Sequence, residues 1–224
     1  MRTLCVLVLL CLAGCPATDT YTSARTLPPG RMQFLAAGGG IAAPDLDASD
    51  THKVVGWEVD PAMPTPGVRV GIVDGVDIGA RAPYLAELGG DLKVRLLRGM
   101  FDIALDPGVV VFHTSEDNDN VDNAIHYFAG NVFWINAPVL VDLNLSRMVS
   151  LVASPGATYV FSTGAGSAAQ LFATCGLGLN LRVFPWLSIQ PQVSAVTAFR
   201  YAGDVFLSFG AGFSFGAQPR FDDL

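Results

Sequence analysis

The chain has 224 residues, of which 51% are hydrophobic and only 15% are charged. Soluble proteins carry about 25% charged residues, so this composition excludes an ordinary water-exposed surface over much of the molecule. The formal net charge of −7, without a cluster of Lys or Arg, excludes the basic face that nucleic acid requires, and no nucleic-acid partner is expected.

The first fifteen residues have the layout of an export signal, with a positive start at Met1-Arg2 followed by the short apolar core LCVLVLLCLAG. The end of this core, LAGC, resembles the bacterial lipobox, and the resemblance implies a diacylated Cys15 as the first residue of the mature protein. Cleavage after Ala17 by a conventional signal peptidase is the alternative, because Cys15 and Ala17 are both small. Either reading predicts export. Residue 16 is proline and not the aspartate that resembles an inner-membrane retention signal in enterobacteria, which favours the outer membrane.

The next segment, residues 16–30, is polar and contains prolines: PATDTYTSARTLPPG. We predict that it forms a periplasmic tether. Downstream, no apolar run reaches the roughly 18–20 uncharged residues of a transmembrane helix. The predicted organisation is therefore a signal peptide with lipobox at 1–15, the tether at 16–30, a barrel at 31–216 and a C-terminal tail at 217–224.

From residue 31 onward, apolar residues alternate with small or polar ones, which is the two-residue period of β-strands. In the stretch 131–145, for example, Phe133 and Ile135 share one face and Asn136 and Asp142 the other. The same alternation predicts about ten strands, within a range of 8–10. Their predicted positions are 31–43, 55–72, 76–84, 89–98, 101–113, 131–145, 148–161, 169–184, 187–199 and 204–215.

The connections between these strands fall into two groups. Those at 73–75, 98–99, 146–147 and 185–186 are tight turns, whereas those around 44–54, 114–130, 162–168 and 200–204 are longer on the whole. Short turns at one end and longer loops at the other are typical of an outer-membrane barrel.

The non-apolar face of the strands distinguishes a barrel in lipid from a barrel in water. A soluble barrel or sandwich exposes a hydrated face rich in Lys and Glu, but here that face is mostly Ser, Gly, Asn, Gln and Thr. We therefore predict that the apolar face points into lipid and that the strands close, since an open sheet edge cannot exist there. Aromatic residues near strand ends are expected to form interfacial girdles: Phe101, Phe133, Trp134, Tyr159, Phe161, Phe184, Trp186, Phe199 and Tyr201.

Two motifs carry a resemblance to a known group. The run VRVGIVDGVDIG at 68–79 resembles a strand, turn and strand found in many small bacterial outer-membrane barrels, of the OmpA-like or outer-membrane transporter-like kind. The run FLSFGAGFSFG at 206–216 is similar to the C-terminal strand that the barrel-assembly machinery reads, although here the chain continues to residue 224. The resemblance implies an all-β, closed, antiparallel up-and-down transmembrane barrel in the outer membrane of a Gram-negative cell envelope. Its implied partners are outer-membrane lipid and the assembly machinery, and it implies no oligomeric state.

Charged residues of both signs occur on the polar face of the predicted strands. Because an isolated charge in a narrow interior is costly, we expect them to pair across the lumen, with Lys93 close to Asp106 across the turn at 98–99. The candidate lumen charges are Arg69, Asp77, Arg81, Lys93, Arg95, Asp102, Asp106, Asp142, Arg182 and Arg200. They predict either a structural barrel filled by its own side chains or a porin-like, passive channel for small solutes.

Two other functions stay open at this point. The barrel could display its loops, notably 114–130, as a surface binding module. The chain could also be a periplasmic lipoprotein with a soluble β-barrel that binds a small apolar ligand.

We expect neither an enzyme nor a metal or cofactor site. The chain has three histidines, and His113 with Ser115 and Asp117 is a weak nucleophile set in a loop. The acidic loop around Glu116 and Asp117 lacks the glycine and spacing of a calcium loop. Cysteines at 5, 11, 15 and 175 give no disulfide framework or zinc spacing.

Overall fold

A computed structural model describes residues 21–47, 50–83, 87–114, 130–163, 169–198 and 205–219. Within these ranges the regular structure consists of eleven β-strand segments. They are β1 Met32–Asp47, β2 Asp50–Val73, β3 Val76–Arg81, β4 Leu88–Leu97, β5 Phe101–Leu105, β6 Gly108–Thr114, β7 Gly130–Asn144, β8 Val149–Ser162, β9 Ala169–Phe184, β10 Leu187–Ala198 and β11 Val205–Gly216. None of the described residues form a helix that is long and apolar enough to cross a membrane.

Each strand pairs antiparallel with its neighbours in sequence, and β1 pairs with β11 to close the sheet. Segments β5 and β6 both lie between β4 and β7, so they are two halves of one strand. The break falls at Asp106-Pro107, where proline has no N–H to donate to a ladder. Counted this way, the described residues form a closed antiparallel barrel of ten strands, which confirms the predicted fold class.

The two ends of the barrel differ as predicted. At one end, here called the turn end, short connections join β2 to β3, β4 to β5, β7 to β8 and β9 to β10. The opposite end, here called the loop end, carries the connections at 82–87, 115–129, 163–168 and 199–204. The expected long loop at 44–54 is different, because strand pairing continues to Asp47 and Asp50. Cross-strand hydrogen bonding there extends the first hairpin beyond the barrel wall, since β11 pairs with β1 only as far as Ala42.

Side-chain direction in the wall is inverted relative to a water-soluble barrel. Leu171, Leu177 and Val183 on β9 are exposed on the outer surface, while Phe172 and Gly176 between them face inward. The inward set around the barrel is mostly polar, and serines, glutamines and asparagines dominate it. The parity of β9 thus places the aliphatic face outside, as the strand pattern predicts.

Several aromatic side chains lie on the outer surface near the strand ends. Phe184 stacks on Trp186 at the turn end, with ring centroids 5.5 Å apart. Phe133 stacks on Phe161 near the loop end, at 5.0 Å. The expectation for Trp134 was wrong: it is buried inside the barrel, because consecutive residues of a strand point to opposite faces. Phe199 and Tyr201 lie outside the described residues.

Residues 21–28 lie inside the barrel and the exposed Pro29 and Gly30 follow at its mouth, whereas the sequence suggested a periplasmic tether for 16–30. Residues 22–27 are all buried, and residues 16–20 are outside the described ranges. Wall glycines provide the space that this segment occupies. A Cβ added at Gly71 would lie 2.7 Å from the carbonyl oxygen of Leu27, and one at Gly212 would lie 2.5 Å from the Tyr21 Cβ. We call residues 21–30 the lumen segment.

The Gly212 contact gives a direct test of this placement. Gly212→Ala should lower the free energy of unfolding by about 1–3 kcal/mol, the usual cost of overpacking a filled interior, measured by urea titration of the protein in detergent. Gly38→Ala is the matched control, since an added Cβ there meets nothing within 4 Å. It should be neutral or slightly stabilising. Equal losses for both variants would contradict a lumen segment packed against Gly212.

Candidate functional site

The candidate site is the interior of the barrel, where the lumen segment meets the wall. This segment is not part of the sheet, so its backbone groups need partners from elsewhere. Wall carboxylates provide them. The Ala24 N–H donates to Asp142 Oδ2 at 3.0 Å, and the Leu27 N–H donates to Asp77 Oδ1 at 2.9 Å.

Lys93 on β4, the cross-strand neighbour of Asp77, also binds the lumen segment. Its Nζ donates to the Thr22 hydroxyl at 3.0 Å and to the Ser23 carbonyl at 2.9 Å. It also lies 3.6 Å from Asp77 Oδ2. Lys93 is fully buried, and its charge is therefore compensated by one carboxylate and two segment oxygens.

Arg25 supplies the ion pair between the segment and the wall. Its Nε lies 2.5 Å from Asp102 Oδ2, and both side chains are buried. Asp102 also accepts hydrogen bonds from the Gly99 N–H at 3.0 Å and from Asn144 Nδ2 at 2.6 Å. A second Arg25 nitrogen donates to the Gly99 carbonyl at 3.4 Å. The β4–β5 turn, β5, β7 and the lumen segment therefore meet at this carboxylate.

A second charge cluster lies within the wall itself. Arg69 on β2 pairs with Asp91 and, at 3.4 Å, with Asp106. The Leu92 N–H donates to the Pro107 carbonyl at 2.9 Å, so Lys93 and Asp106 lie at the same level on adjacent strands. The Lys93 ammonium group nevertheless forms its ion pair with Asp77, whereas Asp106 pairs with Arg69.

Amide and hydroxyl groups complete the polar interior near the turn end. Gln190 donates to Gln192 at 3.2 Å, and Gln192 donates to the Ser194 hydroxyl at 3.0 Å. From the predicted C-terminal tail, Gln218 turns inward and accepts a hydrogen bond from Ser188 at 3.0 Å. Residues 220–224 of that tail lie outside the described part of the chain. A cavity between the lumen segment, Lys93 and Gln218 measures about 10 Å³, which is close to the space one water needs.

Toward the loop end the interior becomes apolar. Trp134 lies across from Val110 on one side and from Val160 on the other, and all three are buried. Val196 and Phe206 form a further buried pair across β10 and β11. The lumen therefore has a polar part, filled by the lumen segment, and an apolar layer nearer the loops.

The predicted lumen charges can now be placed. Six of them are buried in the barrel: Arg69, Asp77, Lys93, Asp102, Asp106 and Asp142. Arg81 and Arg182 are partly exposed near the two ends, and Arg182 donates to the Pro219 carbonyl at 3.5 Å. Arg95 lies at the turn end, where it pairs with Asp74 at 2.9 Å. Arg200 lies outside the described residues, as do Cys15 and the signal peptide.

Two further charged residues of the interior, Arg25 and Asp91, were not among the predicted lumen charges. Arg25 precedes the first strand, where no alternation marks a face. Asp91 occupies a strand position between Gly90 and Leu92 that the pattern does include, so parity alone could have identified it.

The loop end holds the groups that were considered for chemistry. His113 Nδ1 lies 3.0 Å from Asn131 Oδ1, and Ser115 and Asp117 fall in the range 115–129, which is not described. Burial raises the pKa of Glu87 to about 7, while the charge of Arg81 acts to lower it. Across the described ranges, His, Cys, Asp and Glu side chains form no group of three that could hold a metal ion.

The fold and its interior define a class: a closed β-barrel with an apolar exterior and an occupied polar lumen. No protein-family model matches the chain, and no curated protein matches it. Solved structures similar to it include the outer membrane protease OmpT from Escherichia coli, with a TM-score of 0.42 and 9% identity over 85% of this chain and 98% of that one. Neisserial surface protein A has a TM-score of 0.40 and 8% identity, over 83% of this chain and 95% of that one. OprG from Pseudomonas aeruginosa has a TM-score of 0.37 and 10% identity, over 88% of this chain and 100% of that one.

The buried ion pair of the lumen segment predicts a large difference between two arginines. Arg25→Met leaves Asp102 buried without its cation, so the free energy of unfolding should fall by about 3–5 kcal/mol. The Arg95→Met change removes the partner of Asp74, which is mostly exposed, and should cost at most about 1 kcal/mol. Urea titration in detergent micelles measures both.

The double variant Arg25→Met with Asp102→Asn provides the control for unpaired charge. It should recover much of the stability that Arg25→Met loses, because the buried carboxylate is then neutral. If Arg25→Met were as stable as Arg95→Met, the segment would not be held in the lumen by this pair.

Proposed function

We propose that the protein is a membrane-spanning β-barrel of the bacterial outer membrane whose lumen is closed by its own N-terminal segment. The observation that carries the proposal is the inverted partition of side chains. Large apolar residues cover the outer surface, while acids, bases and amides are buried in the centre.

The exterior supports a lipid environment rather than water. Exposed apolar side chains occur on many strands, including Phe34 on β1, Leu92 on β4, Leu177 on β9 and Phe209 on β11. Monomeric soluble proteins rarely expose contiguous apolar patches of more than a few hundred Å². The closed ladder also satisfies the backbone hydrogen bonds of the wall, as a membrane requires.

The interior argues against a soluble carrier of apolar ligands. Such a carrier needs an apolar cavity, but the turn half of this lumen is lined by polar groups and filled by the lumen segment. The remaining space beside Lys93 holds about one water.

The proposed location in the outer membrane rests on the export signal at 1–15. A lipid anchor at Cys15 and recognition of the β11 strand by the assembly machinery remain predictions.

Because the lumen is occupied, we favour a structural barrel that conducts no ions, and not an open channel. Ions would have to pass the hydrogen bonds to Thr22, Ser23, Ala24 and Leu27. Passive solute passage would therefore require the lumen segment to leave.

Single-channel recording tests this proposal. The mature chain refolded into a planar bilayer should give no conductance steps, whereas a variant without residues 21–29 should give steps, because the polar half is then open. A variant without residues 16–20 is the matched control and should stay silent. Heat-modifiable migration on gels shows whether each variant forms the barrel. Arg25→Met removes the ion pair of the lumen segment with Asp102 and should give brief conductance steps. Identical conductance from the full chain and the shortened chain would refute closure by the lumen segment.

A second candidate function is the display of a surface binding module at the loop end. The extended β1–β2 hairpin favours it, since residues 43–47 of β1 pair with β2 after pairing with β11 has ended. The loop 114–130 adds an acidic sequence, with Glu116, Asp117, Asp119 and Asp122. A basic surface is the partner that such a loop would attract.

The display function predicts that the protein in nanodiscs binds beads coated with a lysine-rich peptide. Replacing the four acids of 114–130 with Asn or Gln should abolish the binding while keeping loop length and barrel migration unchanged. Replacing Thr163 with Ala at the neighbouring loop is the control, since this exposed side chain carries no charge. Undiminished binding by the neutral loop would exclude 114–130 as the binding element.

A further inference from the structure

A cavity of about 390 Å³ opens at the turn end, where the lumen segment leaves the barrel. It lies between this segment, the β2–β3 turn and the β4–β5 turn. The residues that line it are Thr26, Pro28, Pro29, Arg31, Asp74, Arg95 and Arg98. The two prolines fix their φ angles and have no N–H groups, so one wall is stiff, and arginine side chains dominate the rest.

The cavity is basic in an acidic protein. Three guanidinium groups and one carboxylate line it, which leaves a formal charge of +2 in a chain of net charge −7. Asp74 is the acid that faces these arginines, and it contacts Arg95 at 2.9 Å. The Asp74 side chain is 76% exposed and that of Arg95 only 13%. The carboxylate is therefore directed largely to solvent, while the guanidinium lies in the wall of the cavity.

Thr26 provides a second, independent observation. The residue is 4% exposed, and among the described residues its hydroxyl oxygen has no hydrogen-bond partner. A buried hydroxyl without a partner costs free energy, and Thr26 is one of the residues that line the basic cavity. A bound acceptor inside the cavity would satisfy it.

We propose that this cavity binds a phosphate group. Phosphate oxygens accept several hydrogen bonds at once, and arginine forks match them in both charge and geometry. The Thr26 hydroxyl would donate a further bond. The phosphate belongs either to the headgroup of a phospholipid in the adjacent leaflet or to a soluble phosphate compound at the barrel mouth. The site is independent of whether the lumen conducts.

The distribution of charge along the barrel supports an anionic ligand at this end. Arg147 and Arg182 lie at the same end as the cavity and add positive charge there. At the loop end, the segment 114–130 carries the acids Glu116, Asp117, Asp119 and Asp122. Such a field raises the local concentration of anions at the turn end.

Two measurements test the proposal and distinguish a lipid headgroup from a soluble phosphate compound. In the first, the protein in zwitterionic detergent is titrated with sodium phosphate by calorimetry. In the second, nanodiscs of phosphatidylcholine with and without phosphatidylglycerol are prepared, and native mass spectrometry counts the anionic lipids that remain bound. Retained phosphatidylglycerol identifies a lipid headgroup, and binding of phosphate alone identifies a soluble ligand.

Two pairs of variants assign the binding to the cavity. Thr26→Val should weaken binding about tenfold, because a hydrogen bond to a charged group is lost. Thr158→Val removes another buried hydroxyl of the lumen that has no hydrogen-bond partner within the described part of the chain, and it should leave phosphate binding unchanged. The double variant Arg31→Gln with Arg98→Gln should abolish binding, whereas Arg147→Gln should keep it. Each variant is first checked for barrel migration.

For Asp74→Asn, the proposal predicts a higher affinity for phosphate. It removes the carboxylate of the cavity and releases Arg95, so phosphate should bind several-fold more tightly. The proposal is overturned if neither phosphate nor phosphatidylglycerol binds. It is also overturned if Arg147→Gln weakens binding as much as the cavity variants, since the attraction would then be a general property of the basic rim.

Discussion

The ion pair between Arg25 and Asp102 is the contact around which the interior is arranged. Two buried charges are tolerated inside a barrel because each compensates the other and hydrogen bonds satisfy the remaining atoms. Asp102 meets this requirement with donors from Gly99 and Asn144. The same rule applies to Lys93, which shares its ammonium group between Asp77 and the lumen segment. Without the segment, four charged wall residues, Asp77, Lys93, Asp102 and Asp142, would lose their contacts with it, and the polar half would no longer be filled.

The exterior requires apolar side chains where the interior requires paired charges. Together, the apolar exterior and the polar interior explain the proposed function. Aliphatic and aromatic residues cover the outer surface, so the favourable surroundings are lipid rather than water. Inside, the lumen segment fills the polar half of the barrel, and a layer of apolar side chains lies near Trp134. The turn end is where the two environments meet, because the segment leaves the lumen there beside Arg31, Arg95 and Arg98. A closed barrel with a basic mouth follows from this arrangement.

Much of the wall could be predicted from the sequence because strand alternation is a local property. The period of two assigned Leu171 and Leu177 to the outside and predicted ten strands with nearly correct bounds. The position of the lumen segment could not be predicted in this way, since Thr22 to Leu27 form no strand. The carboxylates that accept hydrogen bonds from the Ala24 and Leu27 N–H groups are 118 and 50 residues away in the sequence. Trp134 was misassigned because its position near a strand end was given more weight than its parity. Ion-pair partners were only partly predictable, because they depend on strand register: Lys93 lies beside Asp106 but pairs with Asp77.

Amide hydrogen exchange of residues 22–27 tests the central claim, that the N-terminal segment is held inside the barrel. The measurement uses the mature protein in detergent or nanodiscs, with the amides of β8 as an internal reference for protected strand structure. The Ala24 and Leu27 amides donate to buried carboxylates at 3.0 and 2.9 Å, so they should exchange as slowly as β8 amides. Exchange of these amides at the rate of a free chain, with β8 still protected, would contradict the account.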